Sequence, residues 1–255
     1  SPSLIAKLAK PMLDFFYNQR VKTIENFVDS RFVKTSKILD YGCGSGKLVE
    51  RLNKKNIYAN GFEPSLGAIK LAKRKNLPVY QFIKKVKGRY NLIMFWHSLE
   101  HIDQPFEVIA KIRKSLNRDG KLLIAVPNAD SFETRLFKDK WFHYSFPVHR
   151  IQFTPKAIKL MLKKNNFKVE RIDYFSPEYT ISGLVQSFLN LLLPKDVLYS
   201  VVAHRRLSMP KTQALFWSTL SIILAISFSP FLLVFFTAGL IFKRTGDMVV
   251  IAKNG

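Results

Sequence analysis

An aspartate followed by glycine at every second position, Asp40, Gly42, Gly44 and Gly46, ends a short apolar run in SKILDYGCGSG, residues 36–46. Glycines straight after a strand let the backbone approach a ligand closely, and the helix behind them aims N–H groups at it. The spacing is G-x-G-x-G and not the G-x-G-x-x-G of dinucleotide enzymes. Glu63 closes the next apolar run, where a carboxylate can accept both hydroxyls of a ribose. Further on, HSLEH places His97, Glu100 and His101 together, and His149 lies in a long loop with Trp141, His143, Tyr144 and Phe146. Imidazoles beside a carboxylate are general-base chemistry. His97 and His101 also have the spacing of a metal pair, but the order is not H-E-x-x-H and no third ligand is evident, so no metal is expected.

These groups need elements to position them. Residues 3–30 carry apolar side chains at helical spacing, from Leu4, Ile5, Leu8 and Met12 to Ile24, Phe27 and Val28. Residues 37–40 read as a strand and 47–53 as the helix after it. Residues 57–62 are a second strand, and EPSL opens a second helix with Ser65 as N-cap. Residues 78–82 and 91–96 read as strands three and four. A helix at 105–116 and the turn NRDG at 117–120 lead to a fifth strand at 121–126, stopped by Pro127 and Asn128. Residues 157–165 are helical, and 167–175 and 247–253 are strands. This alternation predicts an α/β fold with helices on both faces of a mainly parallel sheet, which binds ligands at the carboxyl ends of its strands.

The chain has 255 residues, of which 47% are hydrophobic, enough for a sizeable core and too apolar for a disordered chain. A single cysteine, Cys43, rules out an intrachain disulfide and fits a reducing compartment. The first residue is Ser1, so a segment can precede it. Lys7, Lys10 and Pro11 make residues 1–20 a poor signal-peptide core. The formal net charge is +23, with basic runs KLAKRK at 70–75 and KKVKGR at 84–89, and favours an anionic partner or a solvated lysine-rich surface.

ILDYGCGSG resembles motif I of the class I S-adenosylmethionine-dependent methyltransferases. GFEPS resembles their second-strand acidic motif, FWHSLEHIDQP the fourth-strand motif ending in LEH-I-x-x-P, and LNRDGKLLIAVPN the fifth-strand motif. The resemblance covers roughly residues 36–178. The stretch WFHYSFPVHRIQFTPKAIKLMLKKNNF resembles a narrower group found among enzymes of surface-glycan and lipid-linked sugar assembly. The resemblance implies a Rossmann-like seven-stranded sheet and S-adenosyl-L-methionine as cofactor. It assigns Asp40, Tyr41 and the turn Gly42, Gly44, Gly46 to the methionine portion, Glu63 and Pro64 to the ribose, and Trp96, His97 and Ser98 to the pocket near the sulfonium. His149, His101 and Glu100 are then the catalytic candidates, with His97 a further base candidate. Two positions depart from the family pattern: Asn91 replaces the usual aspartate of strand four, and residues 82–85 carry no acid for the adenine amino group.

Residues 212–242, TQALFWSTLSIILAISFSPFLLVFFTAGLIF, contain no charged residue. Pro230 breaks this run into arms of 18 and 12 residues, reaching about 27 and about 18 Å as helices against a hydrocarbon core of roughly 30 Å. Arg205, Arg206 and Lys211 flank it before, Lys243 and Arg244 after; basic flanks favour the cytoplasmic side. A last strand that must rejoin the sheet requires the run to leave and return on one side. The expectation is a re-entrant hydrophobic helical hairpin inserted before the last strand, with residues 183–193 as an interfacial helix leading into it.

The expected organisation is an N-terminal helical cap (1–35), a methyltransferase domain (36–178), interfacial helices and a membrane hairpin (179–245) and a returning strand (246–255). The expected activity is O-methylation of a glycan, lipid-linked sugar or other amphiphile at the cytoplasmic face of a membrane. The charge also allows RNA as substrate, although no added RNA-binding module and no alternating basic and aromatic motif is present. A non-catalytic cofactor-binding membrane adaptor is the alternative of a different class. Oligomeric state is not legible.

Overall fold

The computed structural model describes residues 4–27, 36–176, 178–202 and 209–255. Residues 28–30 of the expected first helix, including Val28, and the flanking residues Arg205 and Arg206 lie outside the described residues. The chain forms two compact units.

The first unit comprises Tyr17–Pro127, Arg150–Asp173 and Met248–Gly255. The C-terminal half of α1 (Leu4–Phe27) belongs to it, followed by β1 (Lys37–Tyr41), α2 (Lys47–Lys54), β2 (Tyr58–Phe62), α3 (Leu66–Lys73), β3 (Val79–Tyr80), β4 (Tyr90–Trp96), α4 (Pro105–Arg113) and β5 (Leu116–Pro127). The strands join β6 and β7, given below, in one seven-stranded sheet ordered β3-β2-β1-β4-β5-β7-β6. β1 pairs in parallel with β2 and β4, so the order reverses between β1 and β4, the switch point where such sheets open a crevice. Consecutive buried residues Leu92, Ile93, Met94 and Phe95, all at 0–1% exposure, require cover on both faces of β4.

Several boundaries differ from expectation. The third strand keeps only two residues, Val79 and Tyr80. The predicted turn at 117–120 survives as an excursion inside β5: Tyr90 pairs with Leu116 and Leu92 with Lys121, so the residues between are looped out. Ser65 does cap α3 by position, but its side chain makes no cap bond. Instead its backbone N–H donates to Glu63 Oε1 at 2.8 Å.

The second unit comprises Ser1–Phe16, Asn128–His149 and Tyr174–Asp247. It holds α5 (Phe132–Phe137), which the sequence reading missed. In chain order α6 (Pro155–Lys164) and β6 (Phe167–Asp173) then return to the first unit. The second unit continues with α7 (Tyr179–Leu192), α8 (Val197–Val202), also missed, α9 (Lys211–Ser227) and α10 (Ser229–Ile241). β7 (Asp247–Asn254) follows and pairs antiparallel with β6, as expected for the last strand.

The helix expected at 183–193 as an interfacial one is α7, which has most of its side chains buried within its unit. Leu184, Phe188 and Leu189 pack with Phe137, Trp141 and Leu232. Its polar residues are buried and bonded: Ser187 Oγ accepts the Phe142 N–H at 2.9 Å, and Asn190 Nδ2 donates to the Lys140 carbonyl at 3.1 Å. Ile181, Leu191 and Leu192 are the large apolar residues that α7 leaves exposed.

Pro230 breaks the charge-free run as its chemistry dictates, sitting in the first turn of α10 where its missing N–H costs nothing. The two helices meet at a bend of 67°. The bend makes the charge-free run an elbow, a shape that a broken span or a re-entrant loop takes. Among the described residues no single helix is long and apolar enough to cross a membrane; the bent pair passes that test by length and composition only.

Candidate functional site

The glycine turn lies at the carboxyl end of β1, beside the β1–β4 switch point. Its amides are used inside the protein. Gly42 and Cys43 both donate to the Phe62 carbonyl (2.8 and 3.1 Å), Gly44 donates to Glu63 Oε2 (2.8 Å) and Gly46 to the Cys43 carbonyl (3.1 Å). These four amides of the turn are therefore bonded within the protein; the first N–H groups of α2 are the ones expected to face a ligand. What the turn offers is approach. At Gly44, with φ +55°, an added Cβ would meet nothing within 4 Å, whereas at Gly42 it would fall 2.4 Å from the Ser98 Cβ. Gly42 thus lets β4's end close onto β1, and Gly44 leaves open room beside it.

Glu63 stands at the end of β2 with its two oxygens pinned by the Gly44 and Ser65 amides. A carboxylate oriented by backbone donors keeps acceptor capacity for the hydroxyls of a ribose. Pro64 follows it. Tyr41 packs its ring between Phe62 and Phe95, each 4.6 Å away by centroid.

Across the switch point, Ser98 Oγ donates to the Tyr41 carbonyl at 2.5 Å. His97 holds φ +50°, a left-handed conformation rare for a non-glycine residue. Its N–H donates to the Ala125 carbonyl at 2.9 Å, and its Nδ1 lies 3.4 Å from Glu100 Oε1. Glu100 is fully buried. Burial pushes its carboxyl up, but the hydrogen bond and charge of His97, a backbone bond and the charge of His101 outweigh this, so it lies below the usual carboxylate range. Glu100 is thus an ionised partner that orients His97, while His101 is exposed.

Asp40 is buried at 3% exposure. Burial pushes its carboxyl up to about 7, against the pull of the Arg20 guanidinium, with Glu63 adding to the rise. Burial and the neighbouring carboxylates Asp40 and Glu63 push the Cys43 thiol far up, so it is no thiolate nucleophile. Arg20 and Tyr17 escaped the sequence reading. Their three-residue spacing puts both on one face of α1, which was the available signal. Arg20 Cζ lies 4.9 Å from the Tyr17 ring centroid and 5.2 Å from that of Trp96; Lys47 and Arg51 approach the Tyr17 ring at 5.9 and 5.3 Å.

The two departures from the family pattern have local explanations. Asn91 Oδ1 accepts the Lys37 N–H at 2.9 Å, tying β4 to β1 at their amino ends, away from the site. Phe82 and Ile83 are exposed, an apolar surface in the place where an acid was missing.

His149 belongs to the second unit. Its Nδ1 lies 2.7 Å from the His143 carbonyl, which can only accept, so Nδ1 carries the proton and Nε2 is the basic nitrogen of the neutral ring. His143 is buried against Trp141, Phe142 and Tyr179 and over Gly183. Glu133 was also missed. It is buried against Gly246, and burial pushes its carboxyl up to about 8, opposed by a backbone hydrogen bond from Gly246 and raised further by Asp247.

A family model described as a methyltransferase domain matches residues 13–172. No curated protein matches the chain in sequence. Among solved structures, a SAM dependent methyltransferase from Archaeoglobus fulgidus superimposes with a TM-score of 0.54 at 18% identity, covering 92% of this chain and 93% of that one. A putative sarcosine dimethylglycine methyltransferase from Galdieria sulphuraria gives 0.56 at 11% identity, covering 92% and 86%. An O-methyltransferase from a trans-AT PKS multienzyme of Brevibacillus brevis, in complex with S-adenosyl-L-homocysteine, gives 0.52 at 17% identity, covering 99% and 80%. At these identities the likeness is one of fold.

Proposed function

The chain belongs to the methyltransferase-domain family and takes its methyl group from S-adenosyl-L-methionine; from that premise we propose that it methylates a hydroxyl of a glycan, lipid-linked sugar or other amphiphile at the cytoplasmic face of a membrane.

The bound cofactor supplies a methyl group on a positively charged sulfur, which a nucleophile displaces in line. The cradle fits it: Gly44 leaves room, Glu63 presents a pinned carboxylate to the ribose hydroxyls, and Trp96, His97 and Ser98 close β4 beside the turn. Phe82 and Ile83 give adenine an apolar surface. The protein's work is alignment and exclusion of water. A hydroxyl is a weak nucleophile at neutral pH, so a base raises the rate. His149, with Nε2 as its basic nitrogen, has the tautomer this needs; Glu100 serves by fixing His97.

The observation that carries the membrane reading is the elbow. Phe216, Ile223, Ile226, Phe231, Val234 and Ile241 are each more than half exposed, in the run 212–242 that carries no charged residue. Such a surface marks an interaction site. Lys243 beside it and the +23 charge suit anionic headgroups or a substrate phosphate. The test is methyl transfer from labelled cofactor to a membrane extract and, in parallel, to bulk RNA. Label in the lipid or glycan fraction is expected. Label in RNA alone would replace this reading by RNA methylation, and cofactor binding without turnover on either would favour an adaptor.

A further inference from the structure

We propose that the β3 edge of the sheet docks on an anionic lipid surface, its lysines and arginines meeting phosphate headgroups while Leu66 and Leu71 of α3 enter between them. The inference rests on the membrane reading above and deepens it. The elbow is the apolar contact of the second unit, and the β3 edge is an electrostatic contact of the first.

β3 is an edge strand of the sheet. α3 leads into it and the turn Ile83–Lys85 leads out of it, so the basic runs 70–75 and 84–89 border the same edge. Between Glu63 and Glu100 there is no acidic residue, while these two runs carry eight lysines and arginines, all exposed. Among the described residues only Lys75 of the eight is in an ion pair, with Glu50 at 2.7 Å. The opposite edge is balanced instead: Glu170 and Asp173 of β6 pair with Lys121 and Arg171 at 3.1 and 2.7 Å. Like charges gathered on one edge repel one another, a cost that a polyanionic surface offsets.

The side chains of α3 suit a bilayer surface. Ile69 and Ala72 are buried with Val79. Leu66, Lys70 and Lys73 stand at i, i+4 and i+7 on one side of the helix, all exposed, with Leu71 beside them. Leu66 is 64% exposed and Leu71 50%. Leucines between lysines, whose long stems carry the ammonium up to headgroup level, are the pattern of an interfacial helix. RNA, the other polyanion, is gripped by aromatic faces on which bases stack; α3 carries no aromatic residue. A single apolar anchor holds a membrane only reversibly, and a polybasic patch is a usual second signal.

The test is co-sedimentation of the full chain with vesicles of phosphatidylcholine alone and of equal parts phosphatidylcholine and phosphatidylglycerol. Tighter binding to the anionic vesicles is expected, and ~1 M salt, which shortens the Debye length to ~3 Å, should abolish the difference. The variant Lys70→Gln, Lys73→Gln, Lys87→Gln, Arg89→Gln should lose about 100-fold or more in affinity for anionic vesicles, at about 5-fold per charge removed. Its binding to phosphatidylcholine and to S-adenosylmethionine should be unchanged. Four exposed lysines of α6, at the opposite edge, supply the control: Lys156→Gln, Lys159→Gln, Lys163→Gln, Lys164→Gln should cost little. An anionic preference that survives the β3-edge variant overturns the proposal. So does an equal loss in the α6 variant, because net charge and not this edge would then be what the lipid reads. Retention of bulk RNA that falls in the β3-edge variant while vesicle binding holds overturns it in favour of nucleic-acid binding. Equal binding of the unmodified chain to both kinds of vesicle removes this inference and leaves the elbow reading; binding to anionic vesicles alone does the reverse.

Discussion

The Glu63 carboxylate accepts the Gly44 amide at 2.8 Å, and this bond joins the turn after β1 to the end of β2. The acid proposed to hold the ribose is therefore also the acid that shapes the turn. Gly44→Val would force a β-branched residue into φ +55° and fill the open space beside it. Glu63→Ala would orphan the Gly44 and Ser65 amides as well as the ribose hydroxyls, costing on the order of 1–3 kcal/mol for each bond lost. Both variants should bind S-adenosylmethionine more weakly by calorimetry; unchanged affinity in both would remove the cradle assignment.

His149→Ala should lower kcat by about 100-fold or more if His149 takes the acceptor's proton, with cofactor affinity unchanged. His97→Ala should lower both, since His97 sits in strained backbone at the end of β4 and pairs with Glu100. Normal turnover in the His149 variant would reduce that residue to packing in its loop.

Two buried carboxyls set the pH dependence of stability. Burial pushes the Asp40 carboxyl up to about 7 in the folded chain and the Glu133 carboxyl up to about 8, both above the ordinary carboxylate range. Both folded values are raised, so the unfolded chain releases its protons first. The contribution of these two groups to stability should be fully present below about pH 4 and be lost as pH rises through the folded values. Denaturant titrations of Asp40→Asn and Glu133→Gln should each flatten part of that fall, the Asp40 part ending near 7 and the Glu133 part near 8. A pH profile identical in both variants would contradict this.

Gly246 has a packing role that its place before the last strand does not announce. A Cβ there would fall 1.6 Å from Glu133 Oε2, so the buried carboxyl would have to leave its place. Gly246→Ala should lower stability by about 1–3 kcal/mol or more, read as a drop in Tm. Adding Glu133→Ala should recover part of the loss.

The elbow predicts a labelling pattern. Cysteines at Met209 and Lys243, in a Cys43→Ser background, should both resist a membrane-impermeant thiol reagent in intact cells and react after the membrane is opened. A cysteine at Ser229, where α9 gives way to α10, should stay unlabelled from outside. Outside labelling at Ser229 would mean two full crossings, and labelling at one flank only a single crossing. Replacing residues 212–242 with a short Gly/Ser bridge should remove membrane attachment and keep cofactor binding.

Much of the sheet unit was legible because its signals are local. Apolar runs of strand length alternate with helical spacing, and glycines at 42, 44 and 46 followed by an acid at 63 mark the cofactor edge without reference to distant residues. The break at Pro230 was legible for the same reason, since proline acts on its own backbone. What tertiary structure decided was partnership. Arg20 meets Trp96, and Gly246 meets Glu133, across 76 and 113 residues of chain. No periodicity encodes such a meeting. α7 makes the point most plainly: its apolar pattern says that a face must be covered, and only the packed fold shows that Phe137, Trp141 and Leu232 cover it. The turn amides follow the same rule. Glycine spacing fixes where the backbone can come close, but the Phe62 carbonyl and the Glu63 carboxylate, brought in from β2, decide where its N–H groups point.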